Sequence, residues 1–428
     1  SEASVEALER HLPTTSGPAT FDAIRADLAE LKRLLFDPRS HRVFMAAIEA
    51  SWWLDAQIEA WLGDKNAADA VSQSVPHNVT SEMGLALLDV ADAIRPHPEV
   101  VAYLRQVDPD ADGDVLDGLA ALPGGAASRA AIRRWLDAYG ARCVGEIDLT
   151  RSRWSERPAT IVPLILSNVA NFDPGEARRR FERGLDQAAT ARRSMVTRLR
   201  ALPDGDAKAA EAEQRIDLVR AFIGYREYPK YGLIRRHSVY RRALMAEGAR
   251  LVRAGLLQHP EEVFWLGFDE LEAVARTNQA PDPSVLRARA EAFASYRSLT
   301  PPRVLTSDGE AVAGAYRRDH LPAGALVGLG VSAGVVEGRA RVVAELADAD
   351  LAPGDILVTA FTDPSWTPLF VAIGGLVTEV GGRMTHGAVI AREYGLPAVV
   401  AVEGATRAIR DGQRIRVDGT AGSVEILP

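Results

Sequence analysis

The residues of this chain best suited to carry a chemical group lie in the stretch GGRMTHGAVIAREYG, residues 381–395. It places His386 at the start of a predicted helix, which Thr385 can cap through its hydroxyl and which ends at Gly395. The first turn of a helix presents unpaired N–H groups and the positive end of a dipole, and together these bind anions. Such surroundings keep an imidazole neutral and nucleophilic and favour a phosphoryl group on it. The stretch is typical of a phosphohistidine; the alternative is an ordinary surface histidine beside a glycine turn.

Arg226 and Lys230, in YREYPKYG, form a second candidate pair. They are four residues apart and share one helix face if a helix continues through Pro229. Two like charges at that spacing repel each other by about 0.2–0.5 kcal/mol in an isolated helix, so an anionic neighbour is expected. Spacing alone leaves two interpretations open, an anion-binding pair or a basic face that is solvated or paired with carboxylates.

Other chemically capable residues have weaker patterns. In GEIDLTRSRW, Glu146 and Asp148 are predicted to pair with Arg151 or Arg153 as a structural cluster. The tryptophans of ASWWLDAQIEAWLG could line a cleft for an apolar ligand, although core packing is the preferred interpretation. The sequence shows no HExxH motif, Walker loop or paired-histidine spacing, so we predict no metal site.

Composition and charge restrict the class of protein. The 428 residues predict roughly two to four domains of about 100–200 residues each. A net charge of −8 argues against a partner such as nucleic acid or an anionic membrane surface. The single cysteine, Cys143, excludes an internal disulfide framework and favours a reducing compartment. The N-terminal residues lack the apolar core of a signal peptide, and the longest apolar run, 368–377, is shorter than the ~18 residues of a membrane span. We therefore predict a cytoplasmic protein.

Hydrophobic periodicity divides the chain into two kinds of structure. Up to residue 299, apolar residues recur at steps of three and four, as in ATFDAIRADLAELKRLLFD, which predicts helices. Residues 300–324 are rich in Pro, Gly and Ser and predict an exposed linker. Residues 325–428 contain short β-branched runs bounded by Gly, Asp or Pro, with room for two short helices. The expected fold is multidomain, with a mostly α-helical domain (1–299) followed by a small α/β domain (325–428).

The C-terminal hundred residues resemble a known family. GGLVTEVGGRMTHGAVIAREYGLPAVVAV, with GDILVTAFTDPSWTPL upstream and IRVDGTAGSVEIL downstream, resembles the phosphohistidine swivelling domain of phosphoenolpyruvate synthases, pyruvate phosphate dikinases and rifampicin phosphotransferases. The resemblance implies that His386 takes a phosphoryl group from ATP at one site and carries it to another. Gly381 and Gly382 let the backbone approach that group closely, while Thr385 and Arg392 provide capping and charge support. Where most of the superfamily has Thr-Ser-His-Ala, this chain has Met-Thr-His-Gly at 384–387, as in rifampicin phosphotransferases.

The helical part resembles the central, substrate-binding domain of rifampicin phosphotransferases. The similar segments are YGARCVGEIDLTRSRWSERP, NVTSEMGLALLDVAD and IGYREYPKYGLIRRHSVYRRALMAEG. By this resemblance Arg226 and Lys230 clamp the phosphoryl group in transit and orient the acceptor hydroxyl, which makes His386, Arg226 and Lys230 the expected catalytic set. The residues that contact the acceptor remain unknown, because the resemblance begins partway into that domain.

The resemblance implies an antibiotic-inactivating phosphotransferase. It phosphorylates a hydroxyl of a rifamycin and gives AMP, phosphate and phosphorylated drug. The sequence shows no ATP-grasp-like domain, so we expect ATP and Mg²⁺ to bind a domain outside it, in cis or on a separate chain. No cofactor is expected on this chain, and by itself it should be inactive.

Three alternatives stay open. A condensing enzyme of the prodigiosin type has the same domain order and activates a small acid or aldehyde. A phosphoenolpyruvate synthase-like fragment is disfavoured, because the barrel that binds pyruvate in those enzymes does not follow the last predicted strand. A non-catalytic protein that sequesters an apolar antibiotic would have no need of the phosphohistidine motif.

Overall fold

The structure is a computed structural model that describes residues 2–109, 114–296, 299, 302, 304–311, 324–346, 349 and 351–428. Most of the predicted linker, 300–324, lies outside these residues; its described part contains one antiparallel bridge, between Leu305 and Ala311. The chain forms two compact units, each assembled from segments distant in sequence. The first unit comprises Ser1–Ser40, Gly145–Arg153 and Pro229–Ala315, and the second comprises His41–Val144, Trp154–Tyr228 and Tyr316–Pro428.

Helices make up most of the chain before the linker, as the periodicity predicts. Their bounds are α1 (Glu2–His11), α2 (Pro18–Leu35), α3 (Pro38–Leu62), α4 (Ala67–Val71), α5 (Val79–Ile94), α6 (Pro98–Leu104), α7 (Gly125–Tyr139), α8 (Val162–Asn171), α9 (Glu176–Arg200), α10 (Gly205–Phe222), α11 (Tyr228–Arg253), α12 (Phe268–Thr277) and α13 (Pro283–Tyr296). None of the helices in the described part of the chain is long and apolar enough to cross a membrane.

Local sequence signals explain where two of these helices begin. Helix α2 starts at Pro18, whose fixed backbone angle suits a first helical position, and it buries Phe21 and Ile24 in the core of the first unit. Helix α5, in the second unit, is capped by Asn78, whose side-chain oxygen accepts hydrogen bonds from the backbone N–H groups of Thr80 and Ser81 at 3.0 and 3.2 Å. The cap holds the Asn78 amide in one orientation.

The segment from residue 324 to 428, here called the C-terminal segment, is an α/β structure, which confirms the predicted fold class. Its strands are β1 (Leu326–Val327), β2 (Leu329–Ser332), β3 (Val335–Val342), β4 (Ile356–Thr359), β5 (Gly375–Thr378), β6 (Ala398–Val400), β7 (Arg414–Asp418) and β8 (Ser423–Ile426). They form one sheet in the order β1-β8-β7-β3-β4-β5-β6-β2. Its helices are α14 (Thr367–Phe370), α15 (His386–Tyr394) and α16 (Ala405–Ala408).

The centre of this sheet is parallel and buried. Strands β3, β4, β5 and β6 are parallel neighbours, and every residue of β4, β5 and β6 is buried. Parallel strands covered on both faces are continuous apolar runs, which is why DILVTA and GGLVTEV do not alternate. The carboxyl ends of parallel strands meet at one edge, where such folds place their functional loops.

Within the second unit, α5 packs directly against the C-terminal segment. Met83 and Leu87 of α5 share an apolar cluster with Trp366, Leu369 and Phe370. Burial of side chains of this size contributes about 1.5–3 kcal/mol each relative to exposure. This interface places the phosphohistidine motif beside the helical part of the same unit.

Candidate phosphohistidine site

Two adjacent parallel strands bring His386 to its neighbours. Strands β4 and β5 pair in register up to Thr359 and Thr378, so their following loops leave the same edge of the sheet. The loop after β5 leads to His386, the first residue of α15, as the sequence predicts. The loop after β4 leads to Thr367, the first residue of α14. These two side chains meet although the resemblance assigned no role to Thr367.

The contact between Thr367 and His386 shows which ring nitrogen of His386 donates a hydrogen bond. Thr367 Oγ1 lies 3.0 Å from His386 Nε2 and donates its hydrogen to the carbonyl of Pro364 at 2.8 Å. Because the hydroxyl hydrogen is used in that bond, Oγ1 accepts from the ring, which assigns a proton to Nε2. The ring also lies edge-on to Phe370, with centroids 6.2 Å apart. Thr367 therefore orients the imidazole ring.

Thr385 occupies the N-cap position, but its hydroxyl does not cap the helix. Its backbone is extended, at φ −73° and ψ 158°, and no side-chain capping bond is formed. The hydroxyl instead donates to Gly382 O at 2.8 Å and accepts from Gly382 N at 3.2 Å. The prediction that Thr385 caps the helix was wrong, because its hydroxyl both donates to and accepts from the backbone of Gly382 and so closes the short glycine loop. The first-turn N–H groups of α15 are thus left without a side-chain cap from Thr385.

The glycines around His386 have different steric roles. A Cβ on Gly381 would lie 2.8 Å from Val400 Cβ, so packing requires a glycine there. A Cβ on Gly382 would enter open space, so the glycine leaves unoccupied volume beside the loop. A Cβ on Gly387 would lie 2.5 Å from Thr362 Oγ1. A larger residue at 387 would therefore have to displace the Thr362 side chain.

Arg226 reaches the phosphohistidine loop from the helical part of the second unit. It lies in a 3-10 helix, Ile223–Glu227, and its Nη1 donates to Met384 O at 3.3 Å. Its Nη2 donates to Glu227 Oε1 at 2.7 Å, and Glu227 Oε2 accepts from Thr80 Oγ1 at 3.0 Å. A guanidinium held at two points is a fixed positive charge on the loop that leads to His386.

Lys230 belongs to the first unit. Helix α11 begins at Tyr228, so Arg226 precedes it, and the conditional prediction of one helix face shared by Arg226 and Lys230 was wrong. Proline in the first turn favours a helix start over a continuation, which is the physical reason. Lys230 Nζ lies 3.3 Å from Glu146 Oε1, whose side chain is 1% exposed.

The cluster around Glu146 agrees in part with the sequence prediction. Asp148 pairs with Arg151 at 3.7 Å, as predicted. Arg153 donates to the backbone oxygen of Glu146 at 2.7 Å. The partner that sequence reasoning missed is Lys230, because the two residues are far apart along the chain.

A cavity of about 100 Å³ opens beside the loop in the second unit. Its lining includes Trp52, Asp69, Met384 and Arg392. Trp53 and Trp61 pack against a buried core, as the tryptophan pattern predicts. Trp52 is instead 57% exposed, because its helix turns this residue toward the cavity. The cavity is therefore both apolar and charged.

Arg392 holds the cavity wall together. Its Nη1 donates to Val331 O at 3.1 Å and its Nη2 to Arg383 O at 2.8 Å, while Nε lies 3.5 Å from Asp69 Oδ1. Burial raises the pKa of Asp69 to about 7, and the charge of Arg392 opposes that rise. Arg392 thus braces two backbone segments. Among the described residues, no three His, Cys, Asp or Glu side chains are grouped to hold a metal ion.

Comparison with known proteins identifies both parts of the chain. Residues 39–227 match the family described as rifampicin phosphotransferase fourth domain, and residues 351–422 match the family described as PEP-utilising enzyme, mobile domain. Over 427 residues the chain is 62% identical to the rifampicin phosphotransferase of Streptomyces sviceus and 55% identical to that of Bacillus subtilis strain 168. A rifampicin phosphotransferase of Streptomyces sp. is 58% identical over the same length.

These alignments cover 100% of this chain and 49% of each relative, so the chain spans about half the length of the curated relatives it matches. The match includes the phosphohistidine segment and the whole helical part described above. Over its full length the chain is homologous to rifampicin phosphotransferases.

Proposed function

We propose that this chain provides the phosphoryl-carrying and acceptor-binding parts of an antibiotic-inactivating phosphotransferase. The observation that carries the proposal is His386 at the N-terminus of α15, oriented by Thr367 and with Arg226 on its loop. The names of the relatives support a rifamycin as the acceptor, in preference to the small acid or aldehyde of a condensing enzyme.

In the proposed reaction, ATP and Mg²⁺ are bound by a domain outside this chain, in cis or as a separate chain. A nitrogen of His386 uses its lone pair to form a P–N bond to the β-phosphorus of ATP while the bond from that phosphorus to the oxygen of AMP breaks. Water then attacks the γ-phosphorus, the β–γ P–O bond breaks and phosphate leaves, so that His386 retains one phosphoryl group. The C-terminal segment then turns about the predicted linker, 300–324, and presents the phosphoryl group to the acceptor. The acceptor oxygen forms a P–O bond, the P–N bond breaks and the hydroxyl proton is released. With one water consumed, the products are AMP, phosphate and phosphorylated drug.

The chain's own residues orient the carrier and stabilise the transferring group. Thr367 holds the plane of the ring, and the open space at Gly382 together with the first turn of α15 accommodates the phosphoryl oxygens. Arg226 supplies positive charge where negative charge develops during transfer. We assign Lys230 to the same reaction from the family resemblance. A cytoplasmic location fits this chemistry and the single cysteine.

The decisive experiment uses the full-length enzyme, as the wild type and as His386→Ala. Mass spectrometry should find an acid-labile, base-stable phosphate on His386 after incubation with ATP, and phosphorylated rifamycin when the drug is added. The substitution should abolish both while leaving the fold intact, because a first-turn histidine contributes little to the core. Drug phosphorylation by His386→Ala at a rate near wild type would mean direct transfer from ATP, and the proposal would be wrong.

A further inference from the structure

A buried carboxylate joins the C-terminal segment to the helical part of the second unit. Glu393, in the last turn of α15, is 7% exposed. Its Oε1 accepts a hydrogen bond from Asn78 Nδ2, and its Oε2 accepts one from Ser81 Oγ. Both donors lie at the N-terminus of α5. Neither contact serves the chemistry proposed for His386.

One of the two donors, Asn78, is held in place by α5 itself. The Asn78 side-chain oxygen caps α5, so its amide nitrogen is turned toward Glu393. The Asn78 side chain therefore accepts hydrogen bonds from α5 through its oxygen and donates one to Glu393 through its nitrogen. Since α5 forms its cap with its own backbone, this donor is preorganised and needs little ordering on contact.

The shape of α5 also fits the end of α15. Tyr394 Oη donates to Ser81 O at 3.2 Å. A Cβ on Gly84 would lie 2.9 Å from Tyr394 Oη and 3.2 Å from Thr367 Cγ2, so only glycine permits this approach. We call Asn78, Ser81 and Gly84 the docking surface. It receives the helix that carries His386 at its other end.

Burying the Glu393 carboxylate fixes the orientation of the C-terminal segment on α5 more than it lowers the free energy of docking. Removing a carboxylate from water is costly, and neutral donors offset only part of that cost. A like charge, Glu227, also lies near Glu393, with Arg226 opposing its effect. The apolar contacts of α5 with Trp366, Leu369 and Phe370 bury area in the same interface, but they are non-directional. A carboxylate that must find two specific donors instead defines one orientation, which suits a segment that has to return repeatedly to the same place.

We propose that Glu393, bound by Asn78 and Ser81, is the determinant by which α5 recognises the C-terminal segment and holds His386 on the acceptor side. The inference rests on the proposed function, because only a segment that travels needs a recognition site for its return. The partner of the docking surface is thus the C-terminal segment of the same chain. Glu393 is a positioning residue and makes no contact with the transferring group.

The test measures docking in the 428-residue chain, without catalysis. One spin label is placed at Ala189→Cys on α9 and one at Ala421→Cys in the C-terminal segment, both at exposed positions, with the buried Cys143 replaced by Ala. The distance distribution between the labels reports the docked population. Circular dichroism of every variant checks that the helices are formed.

Asn78→Asp is the sharpest variant, because aspartate still caps α5 but faces Glu393 with a negative charge in place of a donor. The ratio of docked to undocked chain should fall by at least about tenfold, the effect of losing one hydrogen bond to a charged group. Glu393→Ala should have a similar effect. The double variant Asn78→Asp, Glu393→Gln exchanges donor and acceptor, and it should restore docking. The exposed Glu345→Ala is the matched control and should leave the distribution unchanged.

Unchanged distributions in folded Asn78→Asp and Glu393→Ala chains would overturn the docking proposal while leaving the proposed function intact. A double variant no better docked than Asn78→Asp would also count against the exchange of partners. Failure of the proposed function appears elsewhere, as drug phosphorylation by full-length His386→Ala. The two hypotheses can therefore fail independently.

Discussion

At the scale of single residues, a hydroxyl that donates its hydrogen to one partner can only accept a hydrogen bond from another. Thr367 donates to Pro364 O and can therefore only accept from His386. Thr385 uses its hydroxyl on Gly382 and therefore leaves the first turn of α15 uncapped. Each role follows from counting the one hydrogen and the lone pairs of a hydroxyl.

Thr367→Val should lower the rate of phosphoryl transfer in the full-length enzyme by about tenfold, the scale of one oriented hydrogen bond. Valine keeps the shape of threonine but cannot accept from Nε2, so the ring loses its orientation. Thr367→Ser should retain most of the activity. Single-turnover formation of phosphohistidine measures the effect. Equal rates for the valine and serine variants would exclude an orienting role.

Lys230→Ala should lower turnover by about two to three orders of magnitude, the effect of removing one charge-stabilising donor. Affinity for the drug should change less, because the expected contact strengthens in the transition state. Lys208→Ala is the matched control, at a half-buried lysine that donates to the Pro203 carbonyl and lies over the ring of Trp61. Steady-state kinetics and calorimetry separate the two effects. Equal losses of binding and turnover would make Lys230 a ground-state anchor.

At the scale of elements, α15 carries a different functional residue at each of its ends. Its first turn presents His386 and its last turn presents Glu393 to α5. A helix is rigid over nine residues, so docking at one end determines where the other end points. The length of α15 therefore separates the reacting residue, His386, from the docking residue, Glu393.

Docking should weaken as the pH rises from 6 to 8. Burial raises the pKa of Glu393 to about 7, and Glu227 adds to the rise while Ser81, Asn78 and Arg226 oppose it. An exposed glutamate has a pKa of about 4.3, so the docked state binds more protons between these values and is favoured at lower pH. The favourable contribution is complete below the undocked pKa and is lost as the pH rises through about 7.

The charged and titratable groups that face Glu393 are those of its own helix and of the helices packed against it, namely Arg392, Tyr394, Arg226, Glu227 and Arg180. The label pair of the docking experiment measures the effect across the pH range. Glu393→Gln mimics the protonated acid and should remove most of the dependence. Asp69, with a pKa also raised to about 7, contributes in the same direction, and Asp69→Asn tests its share. A pH profile identical in wild type and Glu393→Gln would refute the assignment to Glu393.

At the scale of the whole molecule, the proposed function requires a connection that permits rotation. One histidine cannot meet two separate substrates without travelling. The Pro-, Gly- and Ser-rich segment 300–324 is the connection that the sequence predicts, and the described residues Val304 and Leu305 within it are 51% and 62% exposed.

Limited proteolysis of the 428-residue chain should therefore cut first within 300–324, since exposed segments rich in small and polar residues are preferred sites of nicking. Mass spectrometry of the fragments locates the cut. The exposed turn at Pro203–Asp204, between α9 and α10, serves as an internal comparison. Cleavage there, with 300–324 fully protected, would contradict a hinge in the predicted linker.

The sequence by itself determined the features that depend on neighbours along the chain. The bounds of α15 follow from a helix start at His386 and from Gly395, which adopts φ +66° as a helix-ending glycine does. The strands β4, β5 and β6 follow from short β-branched runs bounded by turn residues. The mostly helical region before the linker follows from apolar periodicity over many residues. All of these signals act over a few residues, so they can be read without the fold.

Only the tertiary structure decided which distant residues meet. The contact of Thr367 with His386 depends on β4 and β5 being parallel neighbours, and strand order leaves no mark in either strand alone. The burial of Glu393 against Asn78, 315 positions away, depends on how α5 meets the C-terminal segment. The pairing of Lys230 with Glu146 and the exposure of Trp52 are of the same kind. Such contacts arise from packing between elements, and local propensity carries no information about them.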